Sequence, residues 1–326
     1  IEPYKTAFNN ALKTFEKMGY KTKLGQNCYA GDGIGISNTP LKCAKEINSF
    51  LCGEYNEEIS ALFSCGGGEL MCEILDDVDF DKIKKSKPVW FLGYSDNTNL
   101  TFLLPTICDI TAIYSPCAPA YGMEPWHPSL KDTFELLTGK SNMAHGYDKW
   151  EKESVKNEEN PLVPYNVTKK TEIKKFGAGK DDAKTEISGR LIGGCLDCLS
   201  NLAGTKFDKV SDFNEKYKED GIIWFMESCD LNPMAIRRAI WQLDHAGWFK
   251  YVKGFLIGRP LCLDEEILGV DRYNAVYPLL EKYNVPIIMD LDIGHTAPMM
   301  PIVSGAKAEI VVEKNSIKIH YKELEV

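Results

Sequence analysis

The stretch Pro88-Val-Trp-Phe-Leu-Gly-Tyr-Ser95-Asp-Asn-Thr-Asn-Leu-Thr-Phe-Leu-Leu104 decides the fold. Its first part is a short unbroken apolar run, the pattern of a strand buried on both faces. Its last part reads as an apolar helix. Between them Gly93-Tyr-Ser95-Asp96 makes the turn. Ser and Asp are both preferred helix N-caps, because a side-chain oxygen there accepts an otherwise unpaired backbone N–H. A hydroxyl at the carboxyl end of a parallel strand also stands where open α/β sheets gather their functional groups. The stretch by itself leaves both readings open.

The same alternation continues on either side. Residues 4–18 and 40–52 carry apolar residues at helical spacing, the second opened by Pro40 at its first turn. Residues 20–24 read as a short strand. Residues 59–64 form a buried strand followed by Gly66-Gly-Gly68 and another helix. Strands alternating with helices predict right-handed βαβ units and a parallel sheet covered on both faces. From residue 140 to 186 the chain turns charged, aperiodic and broken by Pro and Gly, which reads as a linker with an excursion. A second apolar region follows: strand, Gly193-Gly194 and helix; then strands at 221–226, 252–257 and 285–289, helices at 233–247 and 273–283, and a terminal hairpin turned at Lys314-Asn-Ser. The expected organisation is an N-terminal α/β domain over 1–139, the excursion over 140–186, and a smaller C-terminal α/β domain with its own sheet over 187–326.

Bulk properties exclude several classes. The 326 residues exceed one ordinary core. With 44% hydrophobic and 26% charged residues the composition is that of an ordinary globular protein, and a net charge of −9 opposes a nucleic-acid or anionic-membrane partner. No apolar run approaches the roughly 18 residues that cross a bilayer. Eleven Cys, scattered and odd in number, fit free thiols in a reducing cytoplasm. Cys195-Leu-Asp-Cys198 has no second pair at zinc-ribbon distance, so two small residues near a helix start are expected there and no resident metal.

Three polar groups stand just beyond apolar strands: Ser95, Glu227 and His295. A serine hydroxyl needs a neighbouring base, and a carboxylate on the other side of a histidine fixes its tautomer. The composition of a triad is therefore present. Each member also has a plainer role: a cap for Ser95, a salt bridge to Arg237 or Arg238 for Glu227, a turn residue for His295. Gly66-Gly-Gly68 offers unobstructed N–H groups for an oxyanion, as does Asp96 at a helix start. No Gly-Lys-Ser/Thr follows the glycines, and they do not spell GxGxxG, which excludes the common nucleotide loops.

Six motifs in order resemble the LD-carboxypeptidase family of serine peptidases, which includes the microcin C immunity peptidases: Ser64-Cys-Gly-Gly-Gly68, Gly93-Tyr-Ser-Asp96, Leu191-Ile-Gly-Gly-Cys-Leu196, Phe225-Met-Glu227, Ile236-Arg-Arg238 and Gly294-His-Thr-Ala-Pro-Met-Met-Pro301. The resemblance implies a flavodoxin-like N-terminal sheet carrying Ser95 as nucleophile, and a C-terminal domain carrying His295 as base and Glu227 as its partner. The backbone N–H groups of Gly67 and Asp96 would form the oxyanion hole. It further implies a cytoplasmic homodimer without a cofactor, acting on a small peptide or a peptidyl-nucleotide. The function expected is a carboxypeptidase that releases D-Ala from a murein tetrapeptide, with microcin C-type hydrolysis, or a two-domain binder without turnover, as alternatives. Gly66, Arg238 and Trp150 are the candidate substrate contacts. Arg237 or Arg259 could replace Arg238 as the socket for a substrate carboxylate, and Tyr147 could join Trp150 in stacking on an adenine ring, unless both aromatics serve packing. The sequence departs from the family in three places: the opening "GDxIGxxxPS" strand does not precede Ile1, so an N-terminal truncation is suspected; Cys195 stands where Asn is common; and the excursion at 140–186, which differs between the murein-recycling and antibiotic-immunity branches, is expected to shape specificity.

Overall fold

A computed structural model describes residues 4–322 and residue 324. The first sheet contains Ala61–Phe63 (β1), Trp90–Gly93 (β2) and Ala112–Tyr114 (β3), paired in parallel in that order. β2 is buried at all four positions, as a central strand covered on both faces must be.

Residues 140–186 contribute Met143–His145 (β4), a two-residue pair of strands, Lys149–Trp150 (β5) and Lys169–Lys170 (β6), and Lys174–Gly177 (β7). The chain then enters Lys184–Cys195 (β8), Ile222–Glu227 (β9), Val252–Gly258 (β10) and Pro286–Leu291 (β11), a parallel set in consecutive order. Ile302–Ser304 (β12), Lys307–Glu313 (β13) and Ser316–Lys322 (β14) complete the strands. The second sheet runs β4-β14-β13-β8-β9-β10-β11-β7, while β12 leaves it and pairs antiparallel with β3. The mixed α/β character with two sheets is as expected, but the second sheet is the larger, eight strands against four. Two of its edge strands, β4 and β7, come from the stretch that reads as an excursion.

Two further differences have local causes. Residues 20–24 form no strand; Tyr20 and Leu24 are both over 40% exposed, and an apolar pattern without a sheet face to cover it does not hold a strand. The helix expected over 273–283 shrinks to Tyr277–Leu280 with a tight turn after it, because Pro278 has no N–H for an earlier carbonyl. The helices Lys5–Lys17, Pro40–Leu51 and Pro233–His245 match their periodicity. No helix among the described residues is long and apolar enough to cross a membrane.

The largest core packs Phe91, Phe102, Trp224, Trp248 and Phe255 between the sheets and their helices. It draws on both halves of the chain, so the carboxyl ends of β2, β8, β9 and β11 are held against one another.

Candidate active site

Ser95 follows β2 after one extended residue, Tyr94, and adopts φ 64. A left-handed conformation at a residue with a Cβ costs about 1–3 kcal/mol and persists only where the surroundings impose it. Here they do: the Ser95 N–H donates to the Tyr114 hydroxyl at 3.2 Å, and a Cβ on Gly93 would meet Asn97 at 2.8 Å. The turn tightens into Ser95–Asn97 and then the short helix Thr98–Thr101. The cap positions are taken by Tyr94 and Asn97, neither of which forms a side-chain cap bond. Asp96 turns inward instead, accepting the Met71 N–H at 2.7 Å and Asn99 Nδ2 at 3.0 Å. Burial pushes its carboxyl up to about 6 against those donors.

Glu227 ends β9 and is 1% exposed. Its Oε1 accepts the Tyr114 hydroxyl at 2.5 Å and its Oε2 lies 2.8 Å from His295 Nδ1. Facing a carboxylate oxygen, Nδ1 carries a hydrogen, which makes Nε2 the nitrogen that gains and loses the second proton. Gly294, at φ 94, makes the approach possible: a Cβ there would fall 2.3 Å from Glu227 Oε2. Burial alone would drive the proton off His295, but the Glu227 carboxylate, with help from the Cys229 thiol, outweighs it and holds the imidazole well above its ordinary value. The Tyr94 ring lies 4.9 Å from the imidazole, so the residue before Ser95 packs directly on His295.

The glycine loop closes the other side. A Cβ on Gly67 would sit 3.3 Å from Ser95 Oγ, which brings this backbone alongside the hydroxyl. The Gly66 carbonyl accepts Asn97 Nδ2 at 2.9 Å, tying the loop to the turn that carries Ser95. A cleft of about 100 Å³ opens beside Ser95, lined among others by Gly68, Asp96, Cys195, Asp197 and Cys229.

Other expected residues stand elsewhere. Arg238 is exposed on Pro233–His245 and is not among the residues lining this cleft. Arg237 bonds the Asn274 carbonyl, and Arg259 is buried against Asp292. Trp150 is half-buried, its indole N–H on the Lys170 carbonyl at 3.2 Å and the Arg259 guanidinium 5.0 Å from its ring. Tyr147 is packed, with its hydroxyl donating to Asp132 at 2.6 Å.

Sequence reasoning missed Tyr114 and Asp197. Tyr114 joins the Ser95 backbone to Glu227, and its one signal was position, at the carboxyl end of the strand beside β2. Asp197 accepts the N–H groups of Cys229 and Asp230 at 3.1 and 2.9 Å, fixing the loop that follows Glu227. Cys195 stands at the N-cap position of Leu196–Leu202 without a side-chain cap bond, and all eleven cysteines are free thiols.

The LD-carboxypeptidase N-terminal domain matches residues 1–115 and the LD-carboxypeptidase C-terminal domain residues 188–310. The chain is 26% identical to the microcin C7 self-immunity protein MccF of Escherichia coli, over 97% of this chain and 88% of that one. A putative carboxypeptidase of Vibrio cholerae is 22% identical over 85% of this chain and 78% of its own length. Among solved structures, wild-type MccF without ligand superposes with a TM-score of 0.80 at 23% identity, covering 99% of this chain and 93% of MccF. MccF has also been solved as a mutant in complex with adenosine monophosphate, with a TM-score of 0.80 at 23% identity over 99% of this chain and 92% of MccF. Matched by both halves of the family across most of its length, the chain belongs to the LD-carboxypeptidase family.

Proposed function

We propose that the protein is a serine hydrolase that cuts an amide bond next to a free carboxylate, releasing D-Ala from the L,D-bond of a murein tetrapeptide. Ser95 attacks the carbonyl while His295 takes its proton and later passes it to the leaving amine. Glu227 steadies the imidazolium, and the N–H groups of Gly67 and Asp96 face the developing oxyanion. Water activated by His295 then releases the acyl group. The observation that carries this reading is the 2.8 Å contact between Glu227 and His295, set beside a serine held at φ 64. Such strained turns present a nucleophile at the end of a sheet in other hydrolases.

A second reading, hydrolysis of a peptidyl-nucleotide, has support from the relative MccF, which binds adenosine monophosphate in a solved complex. The cleft favours the first. Its lining includes Glu69, Asp197 and Asp230 and, among described residues, neither Lys nor Arg, which suits a substrate ammonium better than a phosphate and leaves the smaller carboxylate to backbone N–H groups. The eleven free thiols support a reducing compartment, the cytoplasm, and family membership supports a homodimer. Light scattering of the purified chain that returned a monomer mass would end the dimer.

Two assays decide the reaction. A fluorophosphonate probe labels the wild-type chain and spares Ser95→Ala, whose turnover falls on the order of 10⁴–10⁶-fold. D-Ala release from a UDP-MurNAc tetrapeptide exceeds release from a peptidyl-adenylate. The reverse preference selects the second reading, and absent labelling with absent turnover leaves a binder.

A further inference from the structure

Cys195 brings a soft donor to this site. Its Sγ, a Glu227 carboxylate oxygen and a His295 ring nitrogen all lie within 4.8 Å of one another. The three arrive from different elements: the thiol at the end of β8, the carboxylate at the end of β9, the imidazole on the bend after β11. Zinc bonds of about 2.3 Å to sulfur and about 2.0–2.2 Å to nitrogen or oxygen place tetrahedral ligand atoms about 3.3–3.8 Å apart, so at most about 1–1.5 Å of side-chain closure assembles the set. Thiolate, imidazole and carboxylate are the donors zinc takes in proteins.

Access and support are both present. Cys195 and Cys229 line the cleft beside Ser95, which brings the buried thiol to the wall of a solvent-filled space. The Cys229 thiol also bears on the imidazole, from the loop that follows Glu227. One outer contact that orients a metal ligand is in place: the Tyr114 hydroxyl donates to Glu227 Oε1.

We propose that Cys195, Glu227 and His295 form an inhibitory site for zinc, in which metal capture removes the imidazole from proton transfer. On binding, the Cys195 S–H bond breaks and the ligating His295 nitrogen gives up its hydrogen, both protons pass to solvent, and sulfur–zinc and nitrogen–zinc bonds form. Binding stands on the donor geometry alone; only the inhibition rests on the hydrolase reading above.

Cobalt(II) is the probe. Metal-free full-length protein, kept reduced with a phosphine, binds one equivalent and develops a thiolate-to-cobalt charge-transfer band with the visible bands of a four-coordinate ion. Zinc bleaches the spectrum. Cys195→Ser loses the band while its circular dichroism stays native, and His295→Ala carries the same test should the cysteine variant melt early. No charge-transfer band, or one of equal strength in Cys195→Ser, overturns the site, since other thiols would then hold the metal. In a separate arm, zinc blocks fluorophosphonate labelling of the wild type, a chelator restores it, and Cys195→Ser needs at least tenfold more zinc for the same block. Equal zinc sensitivity in the two proteins overturns the inhibitory role. Should the metal-free wild type never be labelled, the hydrolase reading falls while the cobalt spectrum still decides the site.

Discussion

At His295 burial and the facing carboxylate pull in opposite directions, and the carboxylate prevails. A base must be neutral to accept the Ser95 proton, so a raised value moves the acid limb of kcat/KM to higher pH than an ordinary histidine, about 6.5, would give. Activity therefore climbs with pH above neutrality. In Glu227→Gln the facing charge is gone, only the Cys229 thiol still opposes burial, and the limb moves to lower pH. The same variant loses about 10⁴-fold in kcat, because an amide does not hold the productive tautomer. A pH–rate profile of both proteins checks the shift and its sign; a limb that stays in place would detach Glu227 from His295. Stability has its own sign. A value raised in the folded state contributes stabilisation that is complete below about pH 6.5 and fades as pH rises through the folded value. Ser95, Glu227 and His295 were legible in the sequence because each is a polar residue abutting an apolar run. Tyr114 was hidden by the same rule, since in Ala112–Tyr114 a tyrosine passes as one more strand residue.

Among elements, the site depends on how closely strands approach. Tyr114 sits on β3, Ser95 after β2 and Glu227 on β9, so one phenol spans three strands of two sheets. Tyr114→Phe leaves a buried carboxylate oxygen and a turn N–H without this partner, at a cost of about 1–3 kcal/mol in urea unfolding. It also slows the acylation step, read as reduced kcat with KM little changed. A purely structural tyrosine would lower stability alone. The double glycine makes the other close approach. Gly193 has φ 151, and a Cβ on it would fall 1.7 Å from the Phe225 carbonyl oxygen of β9. No rotamer relieves a clash with backbone, so Gly193→Ala costs more than about 3 kcal/mol and lowers the melting temperature accordingly. Unchanged melting would mean that β8 and β9 part more readily than their register implies. The glycines were legible as a turn before a helix. That they serve strand contact was not, because a close approach needs its neighbour and Phe225 lies 32 residues on.

For the whole molecule, the division into two halves read from the sequence is crossed in both directions. β12, from the last part of the chain, completes the first sheet, and β4 and β7 flank the second. These are strands of three or four residues, β12 buried throughout and β4 and β7 partly exposed, and all are too short to show a period. The excursion serves as a brace. Tyr147 N–H donates to Asp292 Oδ2 at 2.6 Å and Glu151 N–H to the Ala297 carbonyl at 2.6 Å, gripping the bend around His295 from both sides. Asp292 also pairs with the Arg259 guanidinium, both almost fully buried, and Arg259 in turn bonds the Asp290 carbonyl at 2.7 Å. Removing one member of a buried pair strands the other charge at a cost of about 3–5 kcal/mol. Asp292→Ala should therefore unfold at clearly lower urea concentration, and below that point should react more slowly with a fluorophosphonate, since the bend loses the anchor three residues before its histidine. Arg259→Met with Asp292→Leu removes both charges together and recovers much of the stability, because no uncompensated ion remains. The double variant still lacks the Tyr147 bond, so its labelling stays slow. If labelling recovered together with stability, the brace from the excursion would have no part in placing His295.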